Sequence, residues 1–298
     1  MSVLEAPERV LRRLEFTVVR RLDGFLFGDY TGLFYGPSLD LAEVREYQPG
    51  DEVKRIDWNV TARMHRLFVR QYREERELTA WLLVDLSPSM RFGTRRHLKR
   101  ETAVEFAAVA AYIITRHGDK VGAMAFPGRL PVVPPRTGRV QALRILHVLR
   151  RAAEGDGGLT DLGRVLREVG RLLRRRHLVF LVSDFLSAPG WERALAELAR
   201  RHDLIAVWVR DPAEEVLPDV GLLPVRDPET GQQLWVDTSD RRVRAAYAEL
   251  VAAQQARLRE TFRRARVDVL ELSTAGSLVE PLVRFVTRRR RRGLVARR

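Results

Sequence analysis

The chain has 298 residues, 45% of them hydrophobic and 31% charged, with a net charge of +14 and no cysteine. That length and apolar fraction belong to a globular protein with a sizeable core rather than to a disordered chain. The absence of cysteine excludes disulfides, thiolate catalysis and cysteine-type zinc sites. Lysine occurs only at Lys54, Lys99 and Lys120, so the basic excess is almost entirely arginine, and seven arginines fall within residues 288–298.

Taken in chain order, Glu8 to Leu22 carries Val10, Leu11, Leu14 and Val18 at helical spacing, which predicts an amphipathic helix. Gln48-Pro49-Gly50-Asp51 is a turn signal, and Leu67 to Leu78 alternates in the manner of a strand. Beyond Thr79 the rhythm changes. Trp81–Asp85, Lys120–Phe126, Leu130–Val133, His177–Val182, Leu204–Val209 and Val267–Leu272 read as strands. Between them lie helices over His97–Arg116, Val140–Arg151, Leu162–Arg174, Trp191–Arg201, Arg241–Arg264 and Leu278–Thr287. Leu222–Arg226 and Gln233–Val236 flank an Asp-Pro-Glu-Thr-Gly hairpin tip. Strands alternating with helices predict an α/β fold, a doubly wound and mostly parallel sheet. The expected organisation is a small N-terminal subdomain of helix and short strands over 1–78, a larger α/β domain over 79–290, and a basic tail over 291–298. Met1–Glu8 has no basic n-region followed by an apolar stretch, and no apolar run approaches a membrane span. The expected location is therefore cytoplasmic.

Asp85-Leu86-Ser87-Pro88-Ser89 leaves the end of a buried strand with one carboxylate and two hydroxyls inside five residues. In open α/β sheets ligands bind beyond the carboxyl ends of the strands. Thr160-Asp161, behind Gly157-Gly158, and Ser183-Asp184, after another strand, are expected at the same edge. Carboxylate and hydroxyl oxygens without imidazole suit Mg²⁺ or Mn²⁺ rather than zinc, and leave a position free for an acidic group from a partner. Each segment also has a purely structural reading: Thr160 can cap the next helix, with Asp161 favouring its N-terminus, and Asp184 can simply end a strand.

The order D-x-S-x-S, then T-D after a glycine loop, then S-D after a strand resembles a von Willebrand factor type A domain and its metal-ion-dependent adhesion site. Leu41-Ala42-Glu43-Val44-Arg45-Glu46-Tyr47-Gln48-Pro49-Gly50-Asp51, continuing into Ile56-Asp57-Trp58 and Thr61-Ala62-Arg63, is similar to the bacterial family called domain of unknown function 58. The resemblance implies Mg²⁺ ligation by Asp85, Ser87, Ser89, Thr160 and Asp184. It also implies a role as adaptor or co-chaperone of a MoxR-type AAA+ ATPase. Many family members carry two N-terminal transmembrane helices, which this sequence lacks.

The Glu43–Arg63 block reads either as a docking element for the metal face or an ATPase, or, in the favoured structural reading, as a turn and ion-pair framework, with Trp58 as a core anchor. His97, His117, His177 and His202 read as surface residues. Neither G-x-S-x-G nor a phosphate-binding G-x-x-x-x-G-K-[ST] loop is present. The expected function is a non-enzymatic, Mg²⁺-dependent protein–protein interaction module. The alternatives are a metal-dependent phosphoester hydrolase, or nucleic-acid binding through the arginine-rich tail, a basic run without interleaved aromatics.

Overall fold

The computed structural model describes residues 7–15, 18, 43–49, 51, 53, 56–64, 66–71, 78–95, 97–127, 132–155, 158, 161–228 and 231–295. Short strands β1 (Glu43–Glu46) and β2 (Phe68–Gln71) pair antiparallel beside a helix at Trp58–Met64. Asp57 is the buried start of that helix, its carboxylate accepting the Val60 N–H at 3.3 Å. Asp51 closes the expected turn by accepting the Gln48 N–H at 2.8 Å.

The main sheet contains β3 (Thr79–Asp85), β4 (Lys120–Phe126), β5 (Val132–Arg136), β6 (Leu178–Ser183) and β7 (Asp203–Arg210). A separate hairpin, β8 (Leu222–Arg226) and β9 (Gln233–Asp237), precedes its last strand, β10 (Asp268–Ser273). Strand order is β10-β7-β6-β3-β4-β5, all parallel except β5, which runs antiparallel to β4. This is the doubly wound α/β sheet predicted from the sequence, and its order reverses between β3 and β6.

The apolar runs are continuous because both sheet faces are covered. Side chains alternate between two cores, as strand geometry requires. Ala80, Leu82 and Val84 of β3 join Phe180, Val182, Ile205 and Val207 on one face, under the helices Lys99–Arg116 and Arg139–Glu154. Val10, Leu11 and Leu14 of the Pro7–Leu14 helix enter this same core. Trp81 and Leu83 point the other way, toward the helices Leu162–Leu172 and Glu192–Arg201. Trp81 lies opposite Gly122 of β4, where the pairing of β4 with β5 shifts register. A Cβ on Gly122 would sit 2.9 Å from the indole and from the Val133 carbonyl oxygen, so this strand position requires glycine.

Several expectations are corrected. The third strand is Val132–Arg136 rather than Leu130–Val133; Pro134 and Pro135 disguised it, and an edge strand tolerates both. Trp58 is 65% exposed and anchors no core. His202 is buried, not on the surface; its Nδ1 accepts the His177 N–H at 3.3 Å and the two rings stack. The last helix runs over Val279–Val295, beyond Thr287 and into the residues read as a tail. Arginine is a good helix former. Arg289 is moreover buried between Asp203 and Asp268, while Arg288 donates to the Val269 carbonyl at 2.8 Å. Among the described residues no helix is long and apolar enough to cross a membrane.

Candidate metal centre

The ends of β3 and β6 are neighbours at the point where strand order reverses, and they deliver Asp85 and Ser183-Asp184 side by side. After Asp85 the chain turns at once into a one-turn 3₁₀ helix, Pro88–Arg91. Pro88 suits this first helical position because it has no N–H to leave unsatisfied. The Met90 N–H closes on the Ser87 carbonyl at 3.1 Å, and Met90 is fully buried beneath the turn. Asp85, Ser87 and Ser89 are all buried, and the two serine hydroxyls lie 3.0 Å apart. The turn therefore gathers three hard oxygen-bearing side chains behind one strand end.

Both oxygens of Asp85 are engaged. Oδ1 accepts the Ser87 N–H at 3.0 Å, and Oδ2 accepts the Ser183 hydroxyl at 2.6 Å. Ser183 Oγ in turn accepts the Phe185 N–H at 2.9 Å, so one hydroxyl links Asp85 to the turn after β6. Phe185 takes a left-handed conformation, φ 60°, to make that turn. Its ring is held edge-on to Phe262 at 4.9 Å and beside Trp191 at 5.8 Å, so aromatic packing offsets the backbone strain. Burial, and then the charge of Asp184, push the Asp85 pKa up to about 7; the hydrogen bonds from Ser183 and Ser87 only partly oppose this.

Asp184 is buried as well. Its Oδ1 accepts the Leu186 N–H at 3.0 Å, and its Oδ2 receives the Lys99 ammonium at 2.7 Å. Lys99 opens the Lys99–Arg116 helix, is wholly buried, and also pairs with Glu214. Its approach depends on a tight loop: the Lys99 N–H donates to the Phe92 carbonyl at 2.9 Å, and a Cβ on Gly93 would lie 2.5 Å from the His97 carbonyl. Burial lowers the Lys99 pKa, but Asp184 and Glu214 together outweigh burial and hold the pKa above the ordinary lysine value.

Beyond Lys99 the network continues along the strand ends. Asp211, directly after β7, accepts the Thr94 N–H at 2.8 Å, the Thr94 hydroxyl at 2.7 Å, the Ala213 N–H at 2.9 Å and the Thr274 hydroxyl at 2.5 Å. Burial raises its pKa, yet these hydrogen bonds win and leave it depressed. The structure thus joins four of the main sheet's strand ends, those of β3, β6, β7 and β10, through buried and half-buried polar side chains.

Of the residues singled out from the sequence, Asp85, Ser87, Ser89 and Asp184 come together. Thr160 lies outside the described residues. Asp161 caps the Leu162–Leu172 helix by accepting the Arg164 N–H at 2.8 Å, and takes the structural role open to it. The Arg91 guanidinium reaches the Gly155 carbonyl, tying the first loop to the segment that leads toward Thr160. Sequence reasoning missed Lys99, Asp211, Glu214, Thr94 and Thr274, and missed Ser183 as the donor to Asp85. Only Asp211 carried a signal, as another carboxylate directly after an apolar strand.

The chemistry of the site fits a small hard cation. Its donors are oxygen alone, and a buried carboxylate held near a second one is the group whose ionisation a cation would favour. Among the described residues no three His, Cys, Asp or Glu side chains gather as metal ligands, so the serine hydroxyls are needed to complete any set.

The model of the family described as "Protein of unknown function DUF58" matches residues 43–257. The chain belongs to the DUF58 family. An uncharacterized protein of Mycobacterium tuberculosis is 38% identical to this DUF58 chain over 288 residues, covering 95% of the chain and 90% of the relative. A protein of Paracoccus denitrificans, named as an uncharacterized protein in the moxR 3' region, is 38% identical over 89 residues, or 30% of the chain and 84% of the relative. Among solved structures, the hypothetical protein BatB of Bacteroides thetaiotaomicron aligns with TM-score 0.47 at 14% identity, over 72% of this chain and 99% of that one. The VWA domain of SpRpn10 aligns with TM-score 0.36 at 11% identity, over 69% and 93%.

Proposed function

We propose that the β3–β6 edge is a Mg²⁺-dependent protein-docking site and that the chain is a non-enzymatic adaptor of a MoxR-type AAA+ ATPase. Asp85, Ser87 and Ser89 would hold the ion, with Thr160 and Asp184 completing the set as the family resemblance implies; Mn²⁺ would serve equally. When bound, the ion supplies one coordination position to an aspartate or glutamate of the partner. The observation that carries the metal reading is the buried Asp85 carboxylate, beside Asp184 and in one turn with two paired hydroxyls. The name of the Paracoccus denitrificans relative supports the ATPase as partner.

This chain's residues prepare the site. Ser183 and the Ser87 N–H fix the orientation of Asp85, Pro88 stiffens the turn, and Met90 fills the space beneath it. The rigid strand ends keep the ligands in place before a partner arrives, which lowers the ordering cost of binding. Among the described residues no three His, Cys, Asp or Glu side chains gather as a metal cluster, and the carboxylate beside Asp85, that of Asp184, is paired with Lys99; the adaptor reading is preferred to hydrolysis on that ground. Arg288 and Arg289, the first two of the seven arginines in residues 288–298, are engaged with the protein's own backbone and acids.

The test is binding of the purified chain to the MoxR-type ATPase of the same host, with Mg²⁺ and with EDTA. Binding that needs Mg²⁺ and is lost in Asp85→Ala, with the fold intact by circular dichroism, is the expected result. An unchanged complex formed by Asp85→Ala in EDTA would reject the mechanism.

A further inference from the structure

Lys99 is an unusual feature of this edge. Lysine is scarce in the chain, at three positions in 298 residues, and this one is 0% exposed. It stands at the first position of its helix, where the helix dipole disfavours a cation. Helix stability therefore does not explain it. Its ammonium instead spans two strands' end loops, 2.7 Å from Asp184 after β6 and paired with Glu214 after β7, and lies 5.9 Å from the centre of the Phe92 ring. Asp184 is the carboxylate whose charge acts on Asp85. Asp184 and Glu214 thus share one fixed ammonium, and Asp85, which feels the charge of Asp184, makes no direct contact with it.

We propose that Lys99 is an internal competitor for the metal: its ammonium holds Asp184 in the metal-free protein and lowers the affinity of the site for a divalent cation. This inference rests on the metal reading of Asp85, Ser87 and Ser89. Two consequences follow from charge and geometry. The empty site is tolerated, because Asp184 is never left buried without a counter-charge. Cation binding becomes a contest between a tethered single charge and a mobile double one, so occupancy responds to free cation concentration or to a partner carboxylate rather than being permanent. Lys99 is a positioning residue here, acting on the ion through Asp184.

The test measures binding of Mn²⁺ alone to the full chain at pH 7.5, by electron paramagnetic resonance of the free ion. Lys99→Met keeps the aliphatic stem and removes the charge; it should bind Mn²⁺ about tenfold more tightly or better, the scale of one removed neighbouring charge. Its metal-free form should melt at a lower temperature. Lys99→Arg, which keeps the charge, should stay close to wild type. Unchanged or weaker Mn²⁺ binding by a folded Lys99→Met would overturn the proposal while leaving the metal site standing. No Mn²⁺ uptake by either protein would remove the metal reading and this inference with it. A second measurement needs no variant to fold. With lysine labelled at Cε and Nζ, the wild-type spectrum has three signals to separate, and Mg²⁺ should shift that of Lys99 while leaving Lys54 and Lys120 in place. A Lys99 signal that does not move at saturating Mg²⁺ would equally overturn it.

Discussion

Replacing Asp85 by asparagine tests the electrostatics of the strand-end site directly. In the metal-free fold this carboxylate titrates near 7, against 3.8 ordinarily, because it is buried and faces Asp184. Between those values the folded state keeps a proton that the unfolded chain has released. Stability contributed here is therefore full below about pH 4, declines as pH rises toward 7, and is flat above. Three pH units at 1.36 kcal/mol each make the decline on the order of 4 kcal/mol. His177 and His202 act with opposite sign. Both are held below 6.5, chiefly by burial, His202 at about 4, so their contribution is lost as pH falls. The raw curve of either protein mixes these effects, but subtraction removes the histidines, which the two proteins share. Asparagine cannot ionise, and its amide brings only a fixed offset at Ser183. Measured by urea unfolding in metal-free buffer from pH 4.5 to 7.5, Asp85→Asn should gain on wild type steadily, by a few kcal/mol in total. Saturating Mg²⁺ at pH 7.5 should then raise wild type and leave the variant unmoved. Parallel pH curves for the two proteins in metal-free buffer would refute the reasoning.

Mg²⁺ at a hundred times its dissociation constant should stabilise wild type by about 2.7 kcal/mol, seen as a rise in melting temperature, and the Ser87→Ala/Ser89→Ala double variant should lose most of it. Gly122→Ala forces a methyl group against the Trp81 indole and the Val133 carbonyl; a loss of about 1–3 kcal/mol is expected by denaturant unfolding, and a neutral result would mean that β4 and β5 part easily. Asp211→Ala strands the Thr94 and Thr274 hydroxyls and should cost roughly 3 kcal/mol. Because the Asp211 pKa is depressed, its contribution is complete above the ordinary value of 3.8 and is lost on acidification below it, which the pH dependence of the same variant would reveal.

The sheet was legible because its strands are buried on both faces. Trp81–Asp85, Lys120–Phe126 and Leu204–Val209 are nearly unbroken apolar runs, and no competing pattern explains them. Asp85, Ser87, Ser89 and Asp184 were legible because each follows such a run within a few residues. The rest of the polar network was not. Lys99 lies in His-Leu-Lys-Arg-Glu, which looks like the solvated start of a helix; its burial is decided by Glu214 and Asp184, far away in sequence. Thr94 sits among arginines in a loop, and nothing local shows that Asp211 will reach it. Trp58 misled because aromatic size argues for a core that the Trp58–Met64 helix does not provide. His202 misled in the opposite sense, since neighbouring arginines made a buried position look wet.

The antiparallel strand at the sheet's border has one further effect. Pro134 and Pro135 are adjacent, so one of them removes an amide donor from the open side of β5, and the Pro134 carbonyl is already taken by the Gln141 side chain at 2.9 Å. That rim is a poor template for strand addition, a safeguard against edge-to-edge aggregation. Any protein that recognises this side of the molecule must therefore grip side chains, because the main chain there has little left to offer.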